Sequence, residues 1–121
     1  MNEAYAPLTA GEPWPYYLGV VARTARTIVA AHRPGMAAHI DRCADQLNYF
    51  PEAALAEILS ASTRSCDWAA THRPDDYSRF VEALCSLILP GGRLTSIGPD
   101  PIPVTLRADY WAGWWSQIHR G

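Results

Sequence analysis

Four side chains in this sequence have the types and spacing to hold a metal: His39 with Cys43, one helical turn apart, and Cys66 with His72. A Cys2His2 set would bind zinc tetrahedrally, but structural zinc sites are built on tight Cys-x-x-Cys-like pairs. Here the second pair straddles a predicted helix end. Cys43 and Cys66 also fall on the apolar stripes of two predicted helices, where a free cysteine serves as a small buried hydrophobe. No metal site is expected. Ser60, Ser62, Ser65 and Cys85 are nucleophiles by type, yet none sits on a strand-turn-helix elbow or in a Cys/His arrangement. Asp75 and Asp76 open a predicted helix, where acids complement the dipole. Gly91-Gly92 follows a helix, whereas phosphate loops open one. His32 reads as a core-edge residue. The sequence predicts a non-enzyme with no cofactor.

What remains is arginine chemistry. All ten basic residues are Arg and none is Lys. That fits an Arg-favouring codon usage, and it also fits phosphate recognition by planar guanidinium forks. Net charge is −2, so the chain as a whole is no polycation. Between Glu12 and Asp41, however, the only charged side chains are Arg23, Arg26 and Arg33. The stretch Tyr16 to Arg33 has helical periodicity. Leu18, Val21, Ala22, Ala25, Ile28, Val29 and His32 recur at steps of three and four and predict one apolar face. The other side carries Tyr16, Gly19, Arg23, Arg26, Thr27, Ala30 and Arg33. Small neighbours would let a nucleic-acid backbone approach Arg23, Arg26, Thr27 and Arg33, with Arg64 and Arg73 (and Arg79) extending the patch from later helices. Such a surface would bind phosphates without reading bases, and with strong salt dependence. No aromatic residues interleave with these arginines, so a base-stacking platform is not expected.

The elements that must position these residues are helices. A chain of 121 residues, 49% hydrophobic and 18% charged, suits one folded domain with its own core. Residues 1–15 read as an extended arm with Pro7, Gly11, Pro13 and Pro15, and Trp14 as its anchor. A first helix spans Pro15 to His32, and Arg33-Pro34-Gly35 turns a corner. A second helix buries Met36, Ile40, Cys43, Leu47 and Phe50, and wets Asp41, Arg42, Asp45 and Gln46. Pro51 opens a third, which buries Leu55, Ile58, Leu59, Ser62, Cys66 and Ala69. The Ser-Thr-Arg-Ser stretch around Arg64 is expected to loosen it. A fourth helix starts near Asp75, buries Tyr77, Phe80, Val81, Leu84, Leu87 and Ile88, and includes an Asp75–Arg79 pair at i,i+4. Pro90-Gly91-Gly92 ends it. The motif Ala-Ala-His-Arg-Pro at 30–34 recurs as Ala-Thr-His-Arg-Pro at 70–74, which is consistent with two αα-hairpins or with shared corner chemistry.

Residues 90–107 read as a loop or a short β-hairpin, with Arg93 to Ile97 and Ile102 to Leu106 flanking a Gly-Pro-Asp-Pro turn. A last helix, 108–119, carries Tyr110, Trp111, Trp114, Trp115 and Ile118. The expected architecture is all-α: a four-helix core at 16–89 capped by a Trp-rich fifth helix. Whatever Trp111, Trp114 and Trp115 leave uncovered would dock another chain. The N-terminus resembles neither a secretory signal nor a transit peptide. No apolar run approaches a membrane span, and three widely spaced cysteines fit a reducing compartment. A cytoplasmic protein with no membrane attachment is expected.

In size, helix count, the run Arg23-Thr24-Ala25-Arg26-Thr27 and an apolar C-terminal helix, the chain from Tyr16 to His119 resembles the small helical subunit of multi-subunit CRISPR effector complexes. That resemblance implies a non-catalytic subunit of an antiviral ribonucleoprotein. It would contact RNA or single-stranded DNA backbone and pack against other subunits, including copies of itself. The acidic second helix departs from a uniformly basic subunit. The alternative is a small interaction module or phage or plasmid regulator that works through its Trp-rich C-terminal helix. A winged DNA-binding regulator fits less well, because no recognition helix is evident.

Overall fold

A computed structural model describes residues 14–88 and 100–118. Among these residues the chain is all-α, with five α-helices and one 3-10 turn. Helix α1 spans Trp14–His32, the turn Pro34–Met36, α2 Ala37–Gln46, α3 Pro51–His72, α4 Pro74–Ile88 and α5 Val104–Ile118. Three corners share one cause. Phe50, Arg73 and Arg33 each precede a proline, and each leaves helical geometry with φ near −137° (−135, −139 and −137) and positive ψ. The proline ring forbids the preceding residue the α region. Phe50-Pro51 makes the same corner without the His-Arg of the repeated motif, so the corner geometry itself needs only the proline.

Helix α1 runs through the middle of the bundle and packs against every other helix, α5 most extensively. This corrects the two-faced reading of the segment. From Pro15 to Ala22 only Tyr16 escapes full burial, so an outward side begins only at Arg23. Two glycines set the α1–α5 crossing. A Cβ placed on Gly19 would collide with the Tyr110 carbonyl, and one on Gly113 with the Tyr16 carbonyl. The two backbones therefore touch. Tyr110 is wholly buried at this crossing, and its hydroxyl donates to the Ala44 carbonyl of α2 at 2.6 Å. Burial, with Asp45 adding, raises its pKa far above the ordinary phenol value, which keeps it a donor.

Other expectations need adjusting. Helix α2 ends at Gln46, so Phe50 lies beyond it in a turn, 61% exposed and out of the core. Helix α3 is continuous through the Ser-Thr-Arg-Ser stretch. Its Ser62 and Thr63 hydroxyls donate to the carbonyls of Ile58 and Leu59 within the helix, at 2.6 and 2.8 Å, a pattern that slightly weakens or bends a helix without ending it. Arg79 pairs with Asp76 at 3.5 Å rather than with Asp75. The second expected strand is not formed. The Ile102 N–H donates to the Asn48 carbonyl at 2.8 Å while the Ile102 side chain enters the core. Helix α5 then starts directly after Pro103, four residues earlier than expected. Pro103 has no N–H for a strand ladder and suits a helix start. The first expected strand, 93–97, and the N-terminal arm to residue 13 lie outside the described residues.

Candidate interaction faces

The expected arginine ridge is placed but not assembled into one open surface. Arg23 leans over the Trp114 ring, 5.3 Å from its centroid, a cation–π contact. Its Nε is out of water without a hydrogen-bond partner among the described residues. Burial, with Arg26 adding and Asp41 opposing, lowers its pKa from the ordinary guanidinium value. Arg26 donates from Nε to Asp41 Oδ1 of α2 at 2.9 Å. The stretch is acid-free in sequence but not in space. The Thr27 hydroxyl donates back to the Arg23 carbonyl at 3.1 Å. Arg73 lies 3.8 Å from Asp76, which also takes Arg79. Arg33 and Arg64 are different: among the described residues neither has an ion-pair partner. These two line one groove with Met36, His39, Glu57, Ser60 and Ala61.

The three tryptophans of α5 divide. Trp114 is 8% exposed and belongs to the core, Trp111 packs against it partly buried, and Trp115 is 54% exposed. Leu106, Tyr110, Gly113 and Trp114 face inward. The far side of the same helix would ordinarily be polar. Instead it reads Val104, Ala108, Trp111, Ala112 and Trp115 at steps of three and four, with Val104 74% exposed and both alanines exposed. No charge falls on that line. Arg107 flanks it, held over the Tyr49 ring at 4.8 Å and bonded from Nε to the Ile102 carbonyl at 3.1 Å. Tyr49 and Phe50 are themselves exposed, so the aromatic surface continues past the N-terminal end of α5. Sequence reasoning took Phe50 for core and missed this extension; Pro51 beside it was the available signal, since it bars residue 50 from helical geometry.

The histidines and cysteines with metal-ligand spacing take up local roles. His39 Nε2 lies 3.8 Å from Cys43 Sγ and 3.3 Å from Glu57. The His72 ring donates from Nδ1 to the Trp68 carbonyl at 3.0 Å. Trp68 stacks with both His32 and His72, with ring centroids 4.9 Å apart in each pair. The repeated His-Arg-Pro corners thus meet at one tryptophan. Burial raises the pKa of Cys43, with Glu57 adding, and that of Cys66, with Asp67 adding. Both stay thiols. Among the described residues, no three of His, Cys, Asp and Glu converge as metal ligands, and no helix is long and apolar enough to cross a membrane. Compared with known proteins, the chain matches no protein-family model, no curated protein and no solved structure.

Proposed function

We propose that this chain is a non-catalytic helical interaction module that associates through the outward face of α5, with a second copy of itself as the partner. One observation carries the reading: a helix whose solvent side is an uncharged line of valine, alanines and tryptophans, with Val104 and Trp115 more than half exposed. Water-facing helix surfaces do not need such side chains, whereas interface centres are rich in tryptophan and poor in charge. The face is also complementary to itself. An antiparallel pairing centred between Asp109 and Tyr110 sets Val104 of one copy against Trp115 of the other, and Ala108 against Trp111. Ala112 then meets the aliphatic stem of Arg107. Small meets large at each position, as a two-fold interface requires. Three unpaired thiols fit a reducing compartment, so we place the module in the cytoplasm. In a ribonucleoprotein setting of the kind the resemblance implies, this face would line up neighbouring copies.

Sedimentation velocity across a concentration series tests the reading. The wild-type chain is expected to pass from monomer to dimer, and Trp115→Asp or Val104→Asp to remain monomeric with unchanged helicity. Trp115 meets Val104 at the end of the seam and not at its centre, so Trp115→Ala should weaken pairing by about 1 kcal/mol, roughly fivefold. A chain that stays monomeric throughout, or a dimer indifferent to both aspartates, would overturn it.

A further inference from the structure

We propose that the groove between Arg33 and Arg64 is a binding site for a phosphate group. It is an open groove of about 160 Å³, room for one oxyanion with some of its water, given a water's share of about 30 Å³. Its walls come from separate elements. Glu57, Ser60, Ala61 and Arg64 lie at steps of three and four along one side of α3, and Met36 and His39 come from the 3-10 turn and α2. Arg33 closes the corner. Its Nη1 is covered by protein and has no hydrogen-bond partner among the described residues, so an anion in the groove would be met by the other guanidinium nitrogens. Arg64 is exposed and likewise has no acid partner among the described residues. The one acid in the lining, Glu57, is engaged by His39 at 3.3 Å.

A second, larger groove shows what the first is not. Lined by His72, Arg73, Asp75, Asp76, Arg79 and Gln117, it also holds two arginines, but Asp76 takes both of them and Asp75 adds another carboxylate. An anion would meet repulsion there. The groove at Arg33 offers two guanidinium groups from different elements, with the Ser60 hydroxyl on the same side of α3 as Arg64. That is more donors than the two oxygens of a carboxylate need, and it suits the several oxygens of a phosphate.

Titration calorimetry at low ionic strength, with inorganic phosphate against matched chloride and separately with a short single-stranded RNA, tests the site on the full chain. Saturable phosphate binding is expected, weakened about tenfold or more (about 1.4 kcal/mol per tenfold) by Arg33→Gln and by Arg64→Gln. Arg42→Gln, on the exposed side of α2, should leave it unchanged. Arg64 is solvent-exposed, so its variant keeps the test valid if Arg33→Gln perturbs the corner; circular dichroism checks the fold. RNA binding far tighter than free phosphate, and falling steeply with salt, assigns the phosphate to a nucleic-acid backbone. Phosphate binding without it assigns a small phosphorylated ligand. No saturable binding of either probe, or binding that survives both variants, overturns the site. Neither outcome bears on the α5 face, whose substitutions lie elsewhere.

Discussion

Helices α1 and α5 each carry a side that breaks the usual rule for solvent-facing surfaces, and the bundle treats the two in opposite ways. The arginines of α1, which by charge belong in water, are drawn into contacts: Arg23 onto Trp114, Arg26 onto Asp41. The tryptophans of α5, which by hydrophobicity belong in the core, are shared between core and solvent, Trp114 in and Trp115 out. The Arg23 contact and the division of the tryptophans follow from one crossing, while the Arg26 contact comes from α2. Gly19 and Gly113 bring the helix backbones together, which seats Trp114 against Arg23. Trp115, one residue and about 100° further round, is thereby turned away. Charge patterning and apolar content each describe a helix alone; the crossing decides which side is covered.

The sharpest way to break this comparison is to truncate the two adjacent tryptophans separately. Trp114→Ala removes a buried ring and the platform under Arg23, and should cost about 3–5 kcal/mol, read as a large drop in denaturation midpoint at unchanged m-value. Trp115→Ala should leave monomer stability within about 0.5 kcal/mol and act on association instead. Equal losses from the two would mean that Trp115 is covered within the monomer, and the α5 face would lose its case as an interface.

Next in size is the crossing itself. Gly19→Ala adds a methyl group where the Tyr110 carbonyl already sits. Alanine is favoured over glycine by about 1 kcal/mol in a helix interior, so on propensity alone the change would stabilise. Overpacking against backbone, which cannot rotate away, costs about 1–3 kcal/mol and sometimes more. Net destabilisation is therefore expected, measured by chemical denaturation, together with loss of the Arg23–Trp114 contact, visible as a shifted tryptophan emission. A stabilised Gly19→Ala chain would show that α1 and α5 do not approach so closely.

Much of this fold can be read along the chain. The apolar residues Leu18, Val21, Ala25 and Ile28 do line the core, and Pro34, Pro51 and Pro74 mark the corners because their rings act on the residue before them. What resists reading is what depends on a second helix. Gly19 looks like a gap in an arginine face until Tyr110 is seen against it. Asp41 looks like the wet side of α2 until it meets Arg26. Helical period tells which residues share a side, not which neighbour takes that side, and so the candidate site was legible as residues and not as a surface. The start of α5 was obscured for a more local reason. Val104 and Thr105 are β-branched and suggest a strand, but Pro103 beside them denies a ladder hydrogen bond and favours a helix start.

The smallest expected effect asks most directly whether the arginine side of α1 is spent or held in reserve. The Arg26–Asp41 pair is well made at 2.9 Å, but its side chains are 30% and 47% exposed. Water and salt screen it, and a double-mutant cycle with Arg26→Gln and Asp41→Asn should give a coupling of only about 0.2–1 kcal/mol, shrinking as salt rises. Asp41→Asn alone therefore leaves the fold nearly untouched while freeing Arg26 beside Arg23. If the α1 arginines serve the bundle only, the freed guanidinium takes no ligand, and RNA affinity measured by fluorescence anisotropy is the same as for the unsubstituted chain. If they belong to a continuous phosphate-binding surface that Asp41 holds closed, Asp41→Asn raises RNA affinity and steepens its salt dependence by about one counterion for each further phosphate neutralised. The first outcome keeps the two helices as opposites. The second would join the α1 arginines to the groove as a single face.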